Sequence, residues 1–285
     1  MKQILVISGK GGTGKTVLAG AFSALMKDKV IVDCDVDAAD MHLLLSPRIV
    51  EHNQFKSGAT AVIDEKKCIR CGKCAKLCRF DAVKDVFVID DLSCEGCGFC
   101  SLVCPADAIE MKENISGEWY ISETRFGPMV HARLGIAEEN SGKLVTLVRE
   151  KAVELAAARN MQWILIDGSP GIGCPVIASL SGVDCALVVT EPTLSGLHDA
   201  GRVIEVARHF GVPVRVLINK YDLNLDISDK IEQFCNQSAI PMIGKLAFDE
   251  RVVRAMVEGK TIPEYENGDM TSQLEEIWDK LRAEL

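Results

Sequence analysis

Ile4-Leu5-Val6-Ile7-Ser8-Gly9-Lys10-Gly11-Gly12-Thr13-Gly14-Lys15-Thr16 is the stretch that decides the fold. Four apolar residues running into glycines read as a buried parallel strand. Gly9-x4-Gly14-Lys15-Thr16 then meets the phosphate-loop pattern, with a helix expected over residues 16–26 as the pattern requires. Phosphates carry concentrated negative charge. A glycine-rich loop turns successive backbone N–H groups inward, and the helix behind it adds its positive end. Gly9, Lys10, Gly11, Gly12, Thr13, Gly14, Lys15 and Thr16 are therefore the expected cradle. In such loops the lysine, here Lys15, contacts the β and γ phosphates and the hydroxyl, here Thr16, binds magnesium.

The same alternation continues outward. Val30-Ile31-Val32 reads as a second strand and leads into Asp33-Cys34-Asp35-Val36-Asp37. Trp163-Ile164-Leu165-Ile166 ends in Asp167, followed by Gly168-Ser169-Pro170-Gly171. Ala186-Leu187-Val188-Val189-Thr190 and Val214-Arg215-Val216-Leu217-Ile218-Asn219 follow the pattern, with helical stretches over 197–210 and 228–238 between them. Strands alternating with helices predict an α/β fold: a parallel sheet covered on both faces. Ligands in such sheets bind at the carboxyl ends of the strands, where these motifs sit. Asp167, closing an apolar strand, fits a second magnesium-holding position. The 285 residues are 48% hydrophobic and 26% charged, an ordinary globular composition. A net charge of −9 argues against nucleic-acid binding, which needs a basic surface. The short apolar opening is neither a signal peptide nor a span, so no membrane insertion and a cytoplasmic location are expected.

Lys10-Gly11-Gly12-x-Gly14-Lys15-Thr16 resembles the deviant Walker A motif of the MinD, ParA, Mrp and nitrogenase-iron-protein class of ATPases. The resemblance covers nearly all of residues 1–60 and 160–265, including Ile240-Pro241-Met242-Ile243-Gly244 and Phe248-Asp249. It implies ATP/ADP and Mg2+ as ligands. It also implies that Lys10 reaches the partner's phosphates in an ATP-bound dimer, either a homodimer or a heterodimer with a paralogue. Asp35, with Asp33 as second choice, is placed to activate water. Gly171 would sense the γ-phosphate, and Asn219 would contact adenine. Asn219-Lys220-Tyr221-Asp222 also has the N-K-x-D form that reads guanine, which leaves GTP open. Catalytic candidates are thus Lys10, Lys15, Asp35 and Asp167.

Eight cysteines form two identical ladders, Cys68-x2-Cys71-x2-Cys74-x3-Cys78 and Cys94-x2-Cys97-x2-Cys100-x3-Cys104, offset by 26 residues. The segment is an internal duplication, and it resembles the ligand run of a two-cluster bacterial ferredoxin. Two CxxC pairs alone would suit zinc; two full ladders favour two 4Fe-4S clusters. One would be held by Cys68, Cys71, Cys74 and Cys104, the other by Cys94, Cys97, Cys100 and Cys78. The expected organisation is a nucleotide domain over 1–60 and 113–285 with an inserted α+β 2x(4Fe-4S) ferredoxin domain over 61–112. Residues 113–140 would connect the two as a hairpin or irregular return. Cys34, Cys185 and Cys235 read as core, and Cys174 as a small buried residue. Leu274, Ile277, Trp278, Leu281 and Leu285 have the spacing of a helix whose acidic outer face suits packing on the domain rather than on anionic lipid.

These readings combine into an ATPase whose dimer cycle is coupled to electron transfer with a redox partner. A MinD/ParA-like regulatory ATPase with redox-sensing clusters is the second expectation. A cluster carrier or assembly ATPase is the third.

Overall fold

The computed structural model describes residues 1–84, 87–135 and 140–285. They divide into two compact units. One comprises Met1–Asn53, Trp119–Arg133 and Ser141–Leu285; the other comprises Gln54–Glu118 with Leu134–Asn140.

The chain opens with β1 (Lys2–Ser8), α1 (Lys15–Leu25), β2 (Lys29–Asp33), α2 (Met41–Leu45) and β3 (Arg48–Ile63). Next come α3 (Lys73–Leu77), α4 (Phe99–Leu102), β4 (Ile109–Thr124) and β5 (Gly127–Leu134). The remainder alternates: α5 (Ser141–Ala158), β6 (Trp163–Pro170), α6 (Cys174–Leu180), β7 (Cys185–Thr190), α7 (Leu194–His209), β8 (Val214–Asn219), α8 (Leu225–Gln237) and β9 (Met242–Leu246). Three helices close the chain: α9 (Glu250–Val257), α10 (Ile262–Tyr265) and α11 (Asp269–Ala283).

In the larger unit the strands lie in the order β5-β2-β6-β1-β7-β8-β9, with β4 and then β3 beyond β5. The described pairings from β5 to β9 are parallel. β1 is central and buried from Ile4 to Ser8, which is why its residues are apolar on both faces. Ile4, Val6, Leu165 and Leu187 join Leu18, Phe22, Leu274, Ile277, Trp278 and Leu281 in one core. The closing helix thus packs on the domain, as its spacing predicts. Trp278 meets the Trp163 ring edge-on at 5.2 Å and lies 6.5 Å from Phe22. Such pairs add about 1 kcal/mol each beyond the area they bury. Cys34, Cys185 and Cys235 are buried, and burial pushes their thiols up to about 12, 11 and 11. Cys174 differs from expectation: it begins α6 and is exposed.

β4 and β5 are neighbours joined by only Arg125 and Phe126, a connection that permits only an antiparallel hairpin. The Thr124 hydroxyl donates to the Gly127 carbonyl at 2.8 Å and closes the turn. The Arg125 guanidinium donates to the carbonyls of Leu44 (3.0 Å), Leu45 (2.9 Å) and Gly259 (3.0 Å), and to both Glu264 oxygens.

His131, on β5, is buried, stacks 5.0 Å from Tyr120 and hydrogen-bonds the Ser122 hydroxyl at 2.9 Å. Burial pushes its pKa down to about 4. The unfolded chain takes up this proton near 6.5, the folded chain only near 4. Stability is therefore full above pH 6.5 and is lost as pH falls toward 4, by about 2–3 kcal/mol at pH 4.5. Urea unfolding at pH 7 and pH 4.5 should show that loss in the wild type and a much smaller one in His131→Gln. Equal losses in the two proteins would assign the acid sensitivity elsewhere.

In the second unit the duplication is visible in the backbone. Positive φ recurs at Arg70 and Gly96, at Gly72 and Gly98, and at Asp81 and Asp107. The Cys78 sulfur accepts from the Ala82 N–H at 3.4 Å, and the Cys104 sulfur from the Ala108 N–H at 3.3 Å. A small core of Ala61, Cys74, Val83 and Ile109 holds the unit together. Cys68, Cys71, Cys74 and Cys104 line one cavity; Cys78, Cys94, Cys97 and Cys100 line another. The ladders are therefore sorted four and four. Lining a cavity is a weaker condition than ligation, which needs sulfurs converging to about 2.3 Å from a metal. Among the described residues, no three or more His, Cys, Asp or Glu side chains are grouped so that they could hold a metal ion. The donor set does not fit the expected group. The two 4Fe-4S clusters, the ferredoxin character of the insert, electron transfer and the redox partner are corrected accordingly.

Candidate nucleotide site

The β1–α1 loop sits at the carboxyl end of the sheet. Gly12 and Gly14 have φ of +82° and +90°, a left-handed backbone that glycine adopts without strain. A β-carbon at Gly14 would stand 2.3 Å from the Asn219 amide nitrogen, so the close approach of β8 also requires glycine. That amide donates to the Thr13 carbonyl at 2.8 Å, and the Lys220 ammonium donates to the Gly12 carbonyl at 3.1 Å. Ser8 steadies the start of the loop by donating to the Lys10 carbonyl at 2.8 Å. The Gly171 N–H donates to the Ser8 carbonyl at 2.9 Å, which draws the segment after β6 against the loop.

The two loop lysines have opposite surroundings. Lys15 is buried; its ammonium lies 2.8 Å from Asp167 Oδ1, 3.7 Å from Asp35 Oδ2 and 3.3 Å from Thr16 Oγ1. Burial disfavours its charge, but Asp167, then Asp35 and Asp33, outweigh that and raise its pKa. Lys10 is 26% exposed at the mouth of the loop, its ammonium 2.7 Å from Glu191 Oε1 and 3.0 Å from both Thr193 Oγ1 and Ser195 Oγ.

The acids are also differentiated. Asp33 is fully buried and accepts the N–H groups of Asp35 (3.0 Å) and Met41 (3.3 Å). Burial, followed by the Asp167 charge, pushes it well above the carboxylate range. Its oxygens shape the segment after β2. Asp35 faces the cavity, and burial raises it to about 6 against the pull of Lys15. Asp167 Oδ2 is buried and accepts no hydrogen bond among the described residues. Asp167 and the Thr16 hydroxyl both approach the Lys15 ammonium, and an orphaned carboxylate oxygen there fits a hard cation such as magnesium, which takes oxygen ligands. Asp222 accepts the Phe248 N–H at 2.6 Å, so one of its oxygens is spent on the chain itself.

The cavity over this loop measures about 490 Å3, within the range of small-molecule sites. Its lining combines polar residues, Ser8, Gly11 to Thr16, Asp35, Asn219 and Lys220, with apolar ones, Leu246, Phe248, Val252, Met256 and Leu274.

Glu191 escaped the sequence reading of the site, and Lys220 entered it only as part of the N-K-x-D run. The signal was present: Glu191 follows the apolar strand β7 as Asp167 closes the apolar part of β6. Each stands at the carboxyl end of a central strand.

The CobQ/CobB/MinD/ParA nucleotide binding domain matches residues 4–262. An uncharacterised protein of Methanocaldococcus jannaschii is 34% identical over 284 residues, covering 98% of this chain and 96% of that one. The septum site-determining protein MinD of Synechocystis is 26% identical over 276 residues, covering 92% and 82%. The solved structure of septum site-determining protein MinD complexed with Mg-ADP, from Pyrococcus horikoshii, superposes with a TM-score of 0.60 at 15% identity. It covers 98% of this chain and 95% of that one. The fold class is thus the parallel-sheet nucleotide-binding one, without the ferredoxin insertion expected from the cysteine ladders. Among the described residues, no helix is long and apolar enough to cross a membrane. The loop, the paired lysines and the full-length match lead to one conclusion: the chain belongs to the CobQ/CobB/MinD/ParA nucleotide-binding domain family.

Proposed function

We propose that the chain is a regulatory ATPase of the MinD/ParA kind, in which ATP joins two protomers and hydrolysis parts them. The observation that carries this reading is the division of labour between the loop lysines. Lys15 is enclosed and can serve only its own protomer's nucleotide. Lys10 stands at the mouth, where a second protomer's phosphates would come within reach. Lys15 exchanges Asp167 for the β and γ phosphate oxygens, and the cradle N–H groups from Gly9 to Thr16 hold the rest of the triphosphate. Thr16 and Asp167 would hold magnesium, which supplies positive charge to the phosphate oxygens when bound. Asp35 orients the attacking water and takes its proton, a role suited to a carboxylate with a pKa near the working range. Gly171, tied to the loop through Ser8, reports the loss of the γ-phosphate to the segment after β6. Asn219 marks the base end. Asp222 is partly spent on Phe248, which favours adenine over guanine. We retain the division 1–60, 61–112 and 113–285 as a host domain with an inserted segment, supported by a second compact unit that comprises Gln54–Glu118 with Leu134–Asn140.

The test is sedimentation velocity at rising protein concentration with Mg-ATP, Mg-ADP or no nucleotide. A dimer with ATP alone, together with a turnover number that rises with protein concentration, is the expected result. A monomer in all three conditions with concentration-independent turnover would exclude the dimer cycle.

A further inference from the structure

The duplicated halves of the second unit give each surface position an internal control. A shift of 26 residues carries Gly72, the left-handed N-cap of α3, onto Gly98, the left-handed N-cap of α4. The same shift carries Lys66, Lys73 and Lys76 onto Leu92, Phe99 and Leu102. All three lysines are exposed, so this backbone turns these positions toward water. The second half fills them with large apolar side chains that are 86%, 47% and 82% exposed. Folding does not require that exchange. The first half keeps the same turns and the same hydrogen bond from an amide to its last cysteine, with lysines in place. Single exposed apolar residues are ordinary; a set of them, at positions that the sister half keeps charged, marks a surface that another protein covers.

The charges of the two halves name the occupant. Lys66, Lys67, Arg70, Lys73, Lys76 and Arg79 are exposed in the first half, whereas no lysine or arginine stands between Lys84 and Lys112. The second half exposes Asp91, Glu95 and Asp107 instead. Lys73 and Lys76 are three residues apart on α3, as Phe99 and Leu102 are on α4, so each pair shares one face of its helix. The two helices pack against each other. We propose that this helix pair is a docking face for a second copy of the chain. A two-fold axis beside the pair seats α4 of each copy on α3 of the other in one closed contact. Lysine stems then cover Phe99 and Leu102 while their ammonium groups reach Glu95 and the neighbouring acids. The face contains no residue of the nucleotide site and needs no ATP. It is small, so it forms only in protein more concentrated than the ATP-driven dimer requires.

The experiment is sedimentation equilibrium of the full chain without nucleotide, so that the ATP-driven dimer is absent, from about 10 to about 500 μM protein, the range that resolves a weak contact. The wild type should be monomeric at the bottom of that range and in exchange with a dimer at the top, with the dimer fraction falling as salt is added. Phe99→Lys/Leu102→Lys copies the first half's own residues and should keep the wild-type circular dichroism. It should raise the dissociation constant by about tenfold or more. Lys73→Glu/Lys76→Glu tests the opposite face independently and should do the same. An equimolar mixture of the two double variants should associate again, because an acidic α3 then meets a lysine-bearing α4. A wild type that stays monomeric at the top of the range refutes the docking face. So does a Phe99→Lys/Leu102→Lys protein that associates like the wild type. A mixture that stays dissociated refutes the pairing of α4 with α3. None of these results bears on the ATP-driven dimer, whose test is made in Mg-ATP.

Discussion

Lys15→Ala should raise the Kd for ATP by about a hundredfold or more and bring hydrolysis below detection. The magnitude follows from what stands around the ammonium. Truncating one member of a buried, hydrogen-bonded charge pair costs about 2–5 kcal/mol, and 2.7 kcal/mol is already a factor of a hundred. Here the lysine faces Asp167 and Asp35 directly, with Asp33 behind them. Removing it withdraws the cation that meets the phosphates and leaves the carboxylates of Asp167 and Asp35 without it beside a polyanion. The variant should also unfold at lower denaturant concentration, because the Asp167 carboxylate is left buried without its partner. Circular dichroism would confirm the fold, and titration with a fluorescent ATP analogue would measure the loss. Binding within threefold of the wild type would contradict the assignment of Lys15 to the phosphates.

Lys10→Ala should leave ATP binding to the single protomer within about threefold while ATP-driven dimerisation disappears. Hydrolysis should fall by about a thousandfold, the lower end of the range for a cation supplied across an interface to a phosphoryl transition state. Lys10 lies outside the enclosed part of the cradle, and its present partners are Glu191, Thr193 and Ser195 rather than the acids of the site. The two lysine variants therefore separate two functions of one loop: Lys15→Ala loses ligand binding, Lys10→Ala loses association and turnover. The readouts are isothermal titration with Mg-ADP and single-turnover hydrolysis at high protein concentration. A Lys10→Ala protein that forms an ATP dimer and turns over at the wild-type rate would overturn the reading.

The parallel sheet was legible because buried strands between helices must be apolar on both faces. Ile4 to Ile7, Val30 to Val32 and Ile164 to Ile166 carry that requirement openly. The phosphate loop was legible because its glycines answer local demands: φ at Gly12, and space for Asn219 at Gly14. What could not be read were relations between distant segments. Glu191 binds a lysine 181 positions earlier, and nothing in its neighbourhood announces that partner. Cys174 was expected inside because cysteine is usually buried, but its position at the start of α6 leaves it exposed. The cysteine ladders show the limit most clearly. Equal spacing produced matching turns, sulfur hydrogen bonds and two cavities with four cysteines each. Whether sulfurs meet at a ligating point depends on side-chain directions, which spacing does not encode, and no such grouping is found among the described residues.

Arg125 links parts of the larger unit that the chain order keeps apart. Its guanidinium grips the end of α2, the Gly259 carbonyl beyond α9, and Glu264 in α10. α9 supplies Val252, Val253 and Met256 to the cavity wall, while α2 follows the segment that carries Asp35. A single planar cation therefore fastens the backbone beyond Asp35 to the backbone beyond α9, so neither can be displaced without breaking hydrogen bonds to one shared side chain.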